Sequence, residues 1–591
     1  MNRSPWRLDA TLAIAIAAQG LFGAAFIAST RFDVGGQTYF TLFDDAMVSM
    51  TYARNLAAGA GLVWNPGGPA VEGYTNFLWT LWMAALHLAG APESTVALLV
   101  MLSGLALLVA NLIVLWKLAN VISTWPVTPR LTVLTVSLCY PLIFWTLRGM
   151  EVGLMALVVN LALLQALSAP AAGRVRMSHF IWLIVLPLIR PDGIVPAAII
   201  AAFTGWAFAR SGRTSRAVGT VLCPFVVLLA HTGWRWWSYD EVLPNTYYLK
   251  LAGTPVGDRL SRGAETLWET VQSNLWLTFT LGLLVRADER LRLVAVVVVT
   301  QVFYSVWVGG DAWEQSHYAN RYVAVVLPLA VLLAARGIEQ LLAEPRSIVR
   351  ALIAGVIGLI LFSTAFSDAL LASALPPPTW TAAMILIGVA VKGVTGIWFL
   401  VVAATVAMQQ PFFSRSPSIG VLVPASCALL LTLSGTFIGE WLDGEALHVT
   451  DDARAARLGL DLRASTSPDA SLGVVWAGAI PYFAHRQAVD FLGKSDVHVA
   501  RVPPRAPFVP GHDKWDYAYS VGVQHPDVIV QTWRATPDDV RLIRSLGYES
   551  IGRDAFVRAG TSTVDVKQLT QVFASFDRAR PTPGASSRPQ R

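Results

Sequence analysis

Apolar runs of about 20 residues recur between positions 12 and 437, separated by short polar turns, and each is long enough to span a bilayer. They fall at 12–28, 94–118, 131–147, 152–167, a short pair at 180–188 and 194–208, then 218–236, a run ending at 285, 291–308, 322–334, 348–366, 380–408 and 419–437. This pattern predicts a mainly α polytopic membrane protein with about 11–13 transmembrane helices over residues 1–439. The first run has no small-residue cleavage site and is read as a retained anchor. Residues 77–88 are apolar but short. They read as a helix at the membrane interface, over about 77–90, with Trp79 and Trp82 as anchors. The run at 380–408 is overlong and contains Lys392, so two half-spans are an alternative there.

From residue 440 the pattern changes. Buried strands are expected at 471–476, 488–492 and 527–530, and amphipathic helices at 451–463 and 537–546, which together make a small α/β domain over 440–580. The tail 581–591, rich in Pro, Ser and Arg, is expected to be disordered.

Charge decides orientation. Arg3, Arg7, Arg130, Arg174, Arg176, Arg210, Arg213, Arg216, Arg290, Arg292, Arg336, Arg350 and Arg415 fall on alternate turns, which places those turns and the N-terminus in the cytoplasm. The loop 30–76, the turns 148–151, 190–193, 238–248 and 309–314, and the C-terminal domain then lie outside. Only 14% of the residues are charged against about 25% in soluble proteins, which agrees with lipid as the main solvent. A net charge of +6 without a basic stripe excludes nucleic acid as a partner. The three cysteines, Cys139, Cys223 and Cys427, lie in apolar runs, so the C-terminal domain has no disulfide.

Chemistry gathers on the outer turns. Asp44 and Asp45 stand before a short helix predicted over 46–56. One of them can serve as its N-cap, and a carboxylate beside the lipid surface can take a proton from a hydroxyl. Glu72, Tyr74 and Asn76, in a Gly/Pro-rich loop, are residue types that hold sugar hydroxyls or pack a loop, and Asn245, Tyr247, Asp311 and Glu314 share that face. Arg148, Arg190, Lys250 and Arg321 end apolar runs on the outside, where a cation binds a phosphate or pairs with an acid; Glu151 and Asp192 are local partners. No HExxH or CxxC occurs, and Gly59-Ala60-Gly61 lacks the context of a nucleotide fingerprint. No cofactor or metal is expected, with a divalent cation bridging Asp45 and Asp311 left open.

The string Phe43-Asp44-Asp45-Ala46 through Tyr52-Ala53-Arg54-Asn55-Leu56, with Gly61-Leu62-Val63-Trp64-Asn65-Pro66-Gly67 and Val71-Glu72-Gly73-Tyr74-Thr75-Asn76, resembles the GT-C glycosyltransferases. Within them it is most similar to the terminal arabinofuranosyltransferases of actinobacterial cell-wall arabinan and their bacterial relatives. Arg148-Gly149-Met150-Glu151, Arg190-Pro191-Asp192-Gly193, Leu243-Pro244-Asn245-Thr246, Gly309-Gly310-Asp311, Gly478-Ala479-Ile480-Pro481-Tyr482-Phe483 and Asp490-Phe491-Leu492-Gly493 agree with this. The resemblance implies a multi-pass enzyme of the bacterial plasma membrane. It would move a sugar, arabinofuranose by preference, from a polyprenyl-phosphate donor to a cell-envelope glycan or glycolipid acceptor, with inversion. It also implies that 30–76 is a catalytic loop whose essential acid is Asp44 or Asp45. A hexose donor, a transporter or flippase of lipid-linked sugars, and a non-enzymatic scaffold are the alternatives.

Overall fold

The computed structural model describes residues 9–172, 177–284, 288–312, 320–343, 348–373, 380–407, 438–439, 441–442 and 448–579. Expectations for Arg3, Arg7, Arg174, Arg176, Glu314, Arg415, Cys427, the run at 419–437 and the tail therefore lie outside the described residues. The chain divides into two compact units: Met1–Ser29, Met101–His231 and Gly257–Leu447 form a helical one, while Thr30–Val100, Thr232–Val256 and His448–Arg591 form a mixed one. The loop 30–76 thus shares a unit with the C-terminal α/β residues.

The protein is a multi-pass membrane protein. Among the described residues, seven helices are long and apolar enough to cross a membrane: Ala10–Ser29, Val96–Ile122, Pro191–Arg210, Thr214–Tyr239, Glu289–Trp307, Ile348–Phe366 and Ala383–Ala404. Val127–Val136 and Tyr140–Leu147 add an eighth if taken as one span bent by 47°. The bend falls at Ser137-Leu138-Cys139, just before Pro141, whose missing N–H suits the first turn of the second helix. The overlong run is one helix, Trp380–Ala407, paired along its length with Ile348–Ser373; Gly358 and Gly396 let the two backbones approach.

Two further expected spans depart from regular membrane helices. The run ending at 285 is a 3-10 segment, Leu275–Leu284, preceded by a charged amphipathic helix, Val256–Ser273. It lies so close to Leu327–Ala343 that a Cβ on Gly282 would stand 2.3 Å from the Gly337 carbonyl oxygen. The run at 322–334 splits into Arg321–Ala324 and Leu327–Ala343.

In the mixed unit, β1 (Arg31–Val34) and β2 (Gln37–Phe40) form an antiparallel hairpin, followed by helices Asp44–Ala57 and Phe77–Leu88, which pack together. Trp79 is buried in the protein and only Trp82 faces outward, so Trp79 is a packing residue and not the interfacial anchor expected of it. The C-terminal residues build a five-stranded sheet from β3 (Ser471–Val474), β4 (Gln487–Asp490), β5 (Val528–Ile529), β6 (Tyr548–Ser550) and β7 (Phe556–Arg558), in the order β4-β3-β5-β7-β6. The first three strands are parallel and the last two antiparallel. Helix Val449–Ser465 packs on Ala479–Ala484, which in turn packs on β3, and Pro537–Ser545 starts in a capping box between Thr536 and Asp539.

Candidate active site

In the mixed unit, the paired acids open the helix Asp44–Ala57, but neither is its N-cap. Phe43 occupies that position with extended backbone, and both carboxylates lie in the first turn, where the helix dipole favours negative charge. Asp44 has another structural task. Its Oδ1 accepts the backbone N–H groups of Gly478 (3.1 Å) and Ala479 (2.9 Å) at the start of Ala479–Ala484. A Cβ on Gly478 would stand 2.0 Å from the Asp44 carbonyl oxygen, so glycine is required there. Burial pushes the Asp44 carboxyl up to about 6, against the lowering effect of those N–H groups and of Lys494.

Asp45 instead meets a cation: the Lys494 ammonium donates to its Oδ1, and both side chains keep some exposure, 14% and 20%. The turn that delivers Lys494 follows β4. Buried Asp490 accepts the N–H groups of Leu492 (3.0 Å), Gly493 (3.1 Å) and Ser495 (2.7 Å), and Gly493 takes the left-handed conformation, φ +79. Burial raises Asp490 to about 6 as well. From the other side the Asn245 amide donates to the carbonyls of Gly493, Lys494 and Asp496 at 2.9–3.2 Å. His512 completes the group. Burial brings it down to about 4, opposed by the Asp45 charge and assisted by Lys494 and Lys250, so its ring is neutral at ordinary pH. The stem of Lys250 passes Gly511, where a Cβ would touch its Cε at 3.5 Å. Lys250 and His512 thus lie within electrostatic range of the Asp45–Lys494 contact. Sequence reading singled out Asp45 and Lys250. It missed His512, and also Lys494, although Lys494 directly follows the noted Asp490-Phe491-Leu492-Gly493.

The other candidates of this unit are engaged within the fold. Buried Glu72 is ion-paired with Arg235. The Tyr74 hydroxyl meets that of Tyr239 at 3.1 Å, and Tyr239 donates to the Leu62 carbonyl. Asn76 accepts from Ser49 (2.9 Å) and Thr80 (3.1 Å). Tyr247 remains exposed beside Tyr248.

In the helical unit, Arg148, Arg190 and Arg321 are buried with three acids, Glu151, Asp192 and Asp311. Gly149, in the left-handed region, ends the helix Tyr140–Leu147 after Arg148. Pro191 forces Arg190 into extended backbone. The Arg190 guanidinium grips Asp192 bidentately (2.5 and 2.8 Å) and donates to Glu151 (2.8 Å), while Gln301 donates to Asp192 at 3.2 Å. Asn320 caps the helix Arg321–Ala324, and Arg321 binds Asp311 at 2.7–2.9 Å. Tyr322 lies under Arg190, 5.0 Å from the guanidinium carbon to the ring centre. Among the described residues no group of three or more His, Cys, Asp or Glu side chains is arranged to hold a metal.

Residues 446–571 match the model of a family described only as a domain of unknown function, DUF8728. No curated protein matches the chain. Among solved structures, ArnT from Cupriavidus metallidurans bound to undecaprenyl phosphate is similar with a TM-score of 0.51 and 13% identity, over 93% of this chain and 98% of that one. Its apo form gives a TM-score of 0.48 at 14% identity over the same shares. The Archaeoglobus fulgidus oligosaccharyltransferase in complex with Zn and sulfate gives 0.39 at 8% identity, over 81% of this chain and 62% of that one. At 13% identity the likeness to ArnT is one of fold, and the chain has a GT-C-like membrane fold with a C-terminal α/β region.

Proposed function

We propose that this chain is a membrane glycosyltransferase that moves a sugar from a polyprenyl-phosphate donor to a glycan or glycolipid acceptor outside the cytoplasm. The observation that carries the reading is the Asp45–Lys494 contact, partly open to solvent, with Lys250 and His512 within range of its charges. An inverting transfer needs a base for the acceptor hydroxyl and positive charge for the departing phosphate. Asp45 is the base and Lys494, with Lys250, is the cation. Donor phosphate draws Lys494 away from Asp45, which frees the carboxylate only when a sugar is in place. The acceptor oxygen then attacks the anomeric carbon, its proton passes to Asp45, the carbon–phosphate oxygen bond breaks, and polyprenyl phosphate leaves with the electron pair. Asp44 positions this pair by holding the Gly478 and Ala479 N–H groups. Fold likeness to a structure that holds undecaprenyl phosphate supports the donor class. The sequence resemblance favours arabinofuranose as the sugar, with a hexose as the alternative.

The test is transfer by purified full-length protein across a set of polyprenyl-phosphate sugars. Asp45→Asn should lower turnover by about 10²–10⁴-fold, the range for loss of a general base. Asp44→Asn, which keeps an oxygen for the two N–H groups, should lower it by less than about tenfold. The reverse ranking assigns the base to Asp44, and full turnover in both variants removes the mechanism. The buried ionic set of the helical unit favours a second reading, transport of the lipid-linked sugar. Donor movement across vesicles without transfer would establish it.

A further inference from the structure

The sheet order makes a specific place at its edge. From β3 the chain first crosses to β4 on one side and later arrives at β5 on the other, so the parallel strands reverse direction of growth at β3. Ligands of open α/β sheets bind at such a switch point, beyond the carboxyl ends of the strands. Here that crevice is walled by aromatic rings. Trp476 stands two residues past β3 and Trp533 four residues past β5, with ring centres 5.8 Å apart in an edge-to-face arrangement. His512 faces both, 6.0 Å from Trp476 and 5.7 Å from Trp533. The three rings are held and not adrift: Trp533 Nε1 donates to the His512 carbonyl (3.0 Å), and the Trp476 N–H donates to Gln531 at the end of β5 (3.2 Å). All three remain partly exposed while the residues beneath them are core. The two indoles pack against the core on one side and keep their outer edges open, at an angle, where an incoming ligand meets them. An apolar wall with polar groups at its edge suits a ligand with alternating C–H faces and hydroxyl rims. A pyranose or furanose ring has that character.

We infer that Trp476, Trp533 and His512 form the acceptor subsite, on which a sugar ring of the acceptor glycan stacks so that its hydroxyl reaches the neighbouring Asp45. The inference rests on the glycosyltransferase reading above and names the component that binds here, the glycan and not the lipid donor. His512 serves both sides of the site: its ring closes the corner, and it feels the charges of Asp45, Lys494 and Lys250.

The experiment titrates full-length protein in detergent with short oligosaccharides of arabinose, galactose and mannose, read by saturation-transfer NMR. At least one series should bind. Trp533→Ala should weaken it by about tenfold, and Trp533→Phe, which keeps a ring, should recover most of that loss. Thermal unfolding of each variant identifies any that fail to fold, in which case Trp476→Leu is read in its place. No binding by any series, or binding indifferent to both tryptophans, overturns the subsite. So does a Trp533→Ala variant whose KM rises for the polyprenyl donor alone, since the rings would then hold the lipid. Repeating the titration in Asp45→Asn separates the two readings. A Trp533-dependent signal with transfer intact in Asp45→Asn removes the base and leaves the subsite. Transfer lost in Asp45→Asn with no Trp533-dependent signal removes the subsite alone.

Discussion

The two units use the same chemical vocabulary, carboxylates beside Arg or Lys, to opposite ends. In the helical unit, buried Asp192 and Asp311 are each held by an arginine through two contacts, and buried Glu151 accepts a further bond from the same Arg190. In the mixed unit, Asp45 meets a single flexible ammonium through one oxygen, and solvent reaches both partners. Arginine's planar fork saturates a carboxylate, whereas a lysine on a four-carbon stem can leave it. Burial and choice of cation thus separate a buried, multiply bonded set from a half-open pair whose cation has room to move. Charge type and position in sequence do not make that distinction.

The comparison breaks most visibly at Arg190. Arg190→Met leaves Glu151 and Asp192 buried without the guanidinium, and loss of one partner of a buried pair costs about 3–5 kcal/mol. The variant should be scarce as folded protein in size-exclusion profiles. Adding Glu151→Gln and Asp192→Asn to it should restore the folded peak, because the uncompensated charges are gone. If Arg190→Met alone folds normally and loses only donor binding, the helical unit's set is a phosphate site and the contrast fails.

A smaller effect sharpens the other side. The Asn245 amide holds the backbone of the 493–496 turn that carries Lys494. Asn245→Ala should cost on the order of 1–2 kcal/mol of stability and, by loosening Lys494, lower kcat by about tenfold with KM for the acceptor little changed. A raised acceptor KM with kcat unchanged would make Asn245 a sugar contact, as its residue type first suggested.

How much of this was legible depends on range. Apolar runs announce membrane helices because length and composition are local properties, and β3, β4 and β5 were readable as short apolar runs between turn residues. The strands Tyr548–Ser550 and Phe556–Arg558 were not, since three residues are too few to show a period and their pairing is supplied by the sheet. The 3-10 segment Leu275–Leu284 reads as an ordinary span until Gly337 is placed against it. Asp44 and Asp45 stood out as paired acids at a helix start. What each does depends on partners more than 430 residues away in the chain, the Gly478 and Ala479 N–H groups for one and Lys494 for the other. Glu72 and Tyr74 carry the types suited to a sugar, yet Arg235 and Tyr239, more than 160 residues on, claim them.

Finally, Asp44 permits a test within the acid pair itself. Its carboxyl is raised to about 6 from an ordinary 3.8, chiefly by burial, so the folded state binds that proton more tightly than the unfolded chain does. The associated stability is therefore fully present below about pH 4 and is lost as pH rises through about 6. Asp490, raised to about 6 by the same cause, adds to the slope in the same direction. Asp44→Asn removes one titration and keeps an acceptor for the Gly478 and Ala479 N–H groups, so between pH 4 and 7 its thermal midpoint should fall less than that of the natural protein. The difference should be on the order of 1–2 kcal/mol across this window. Parallel pH curves for the two proteins would mean that Asp44 is solvated like an ordinary surface acid. The division of labour proposed above, a buried, bond-holding Asp44 and an open Asp45 as base, would then have no physical basis.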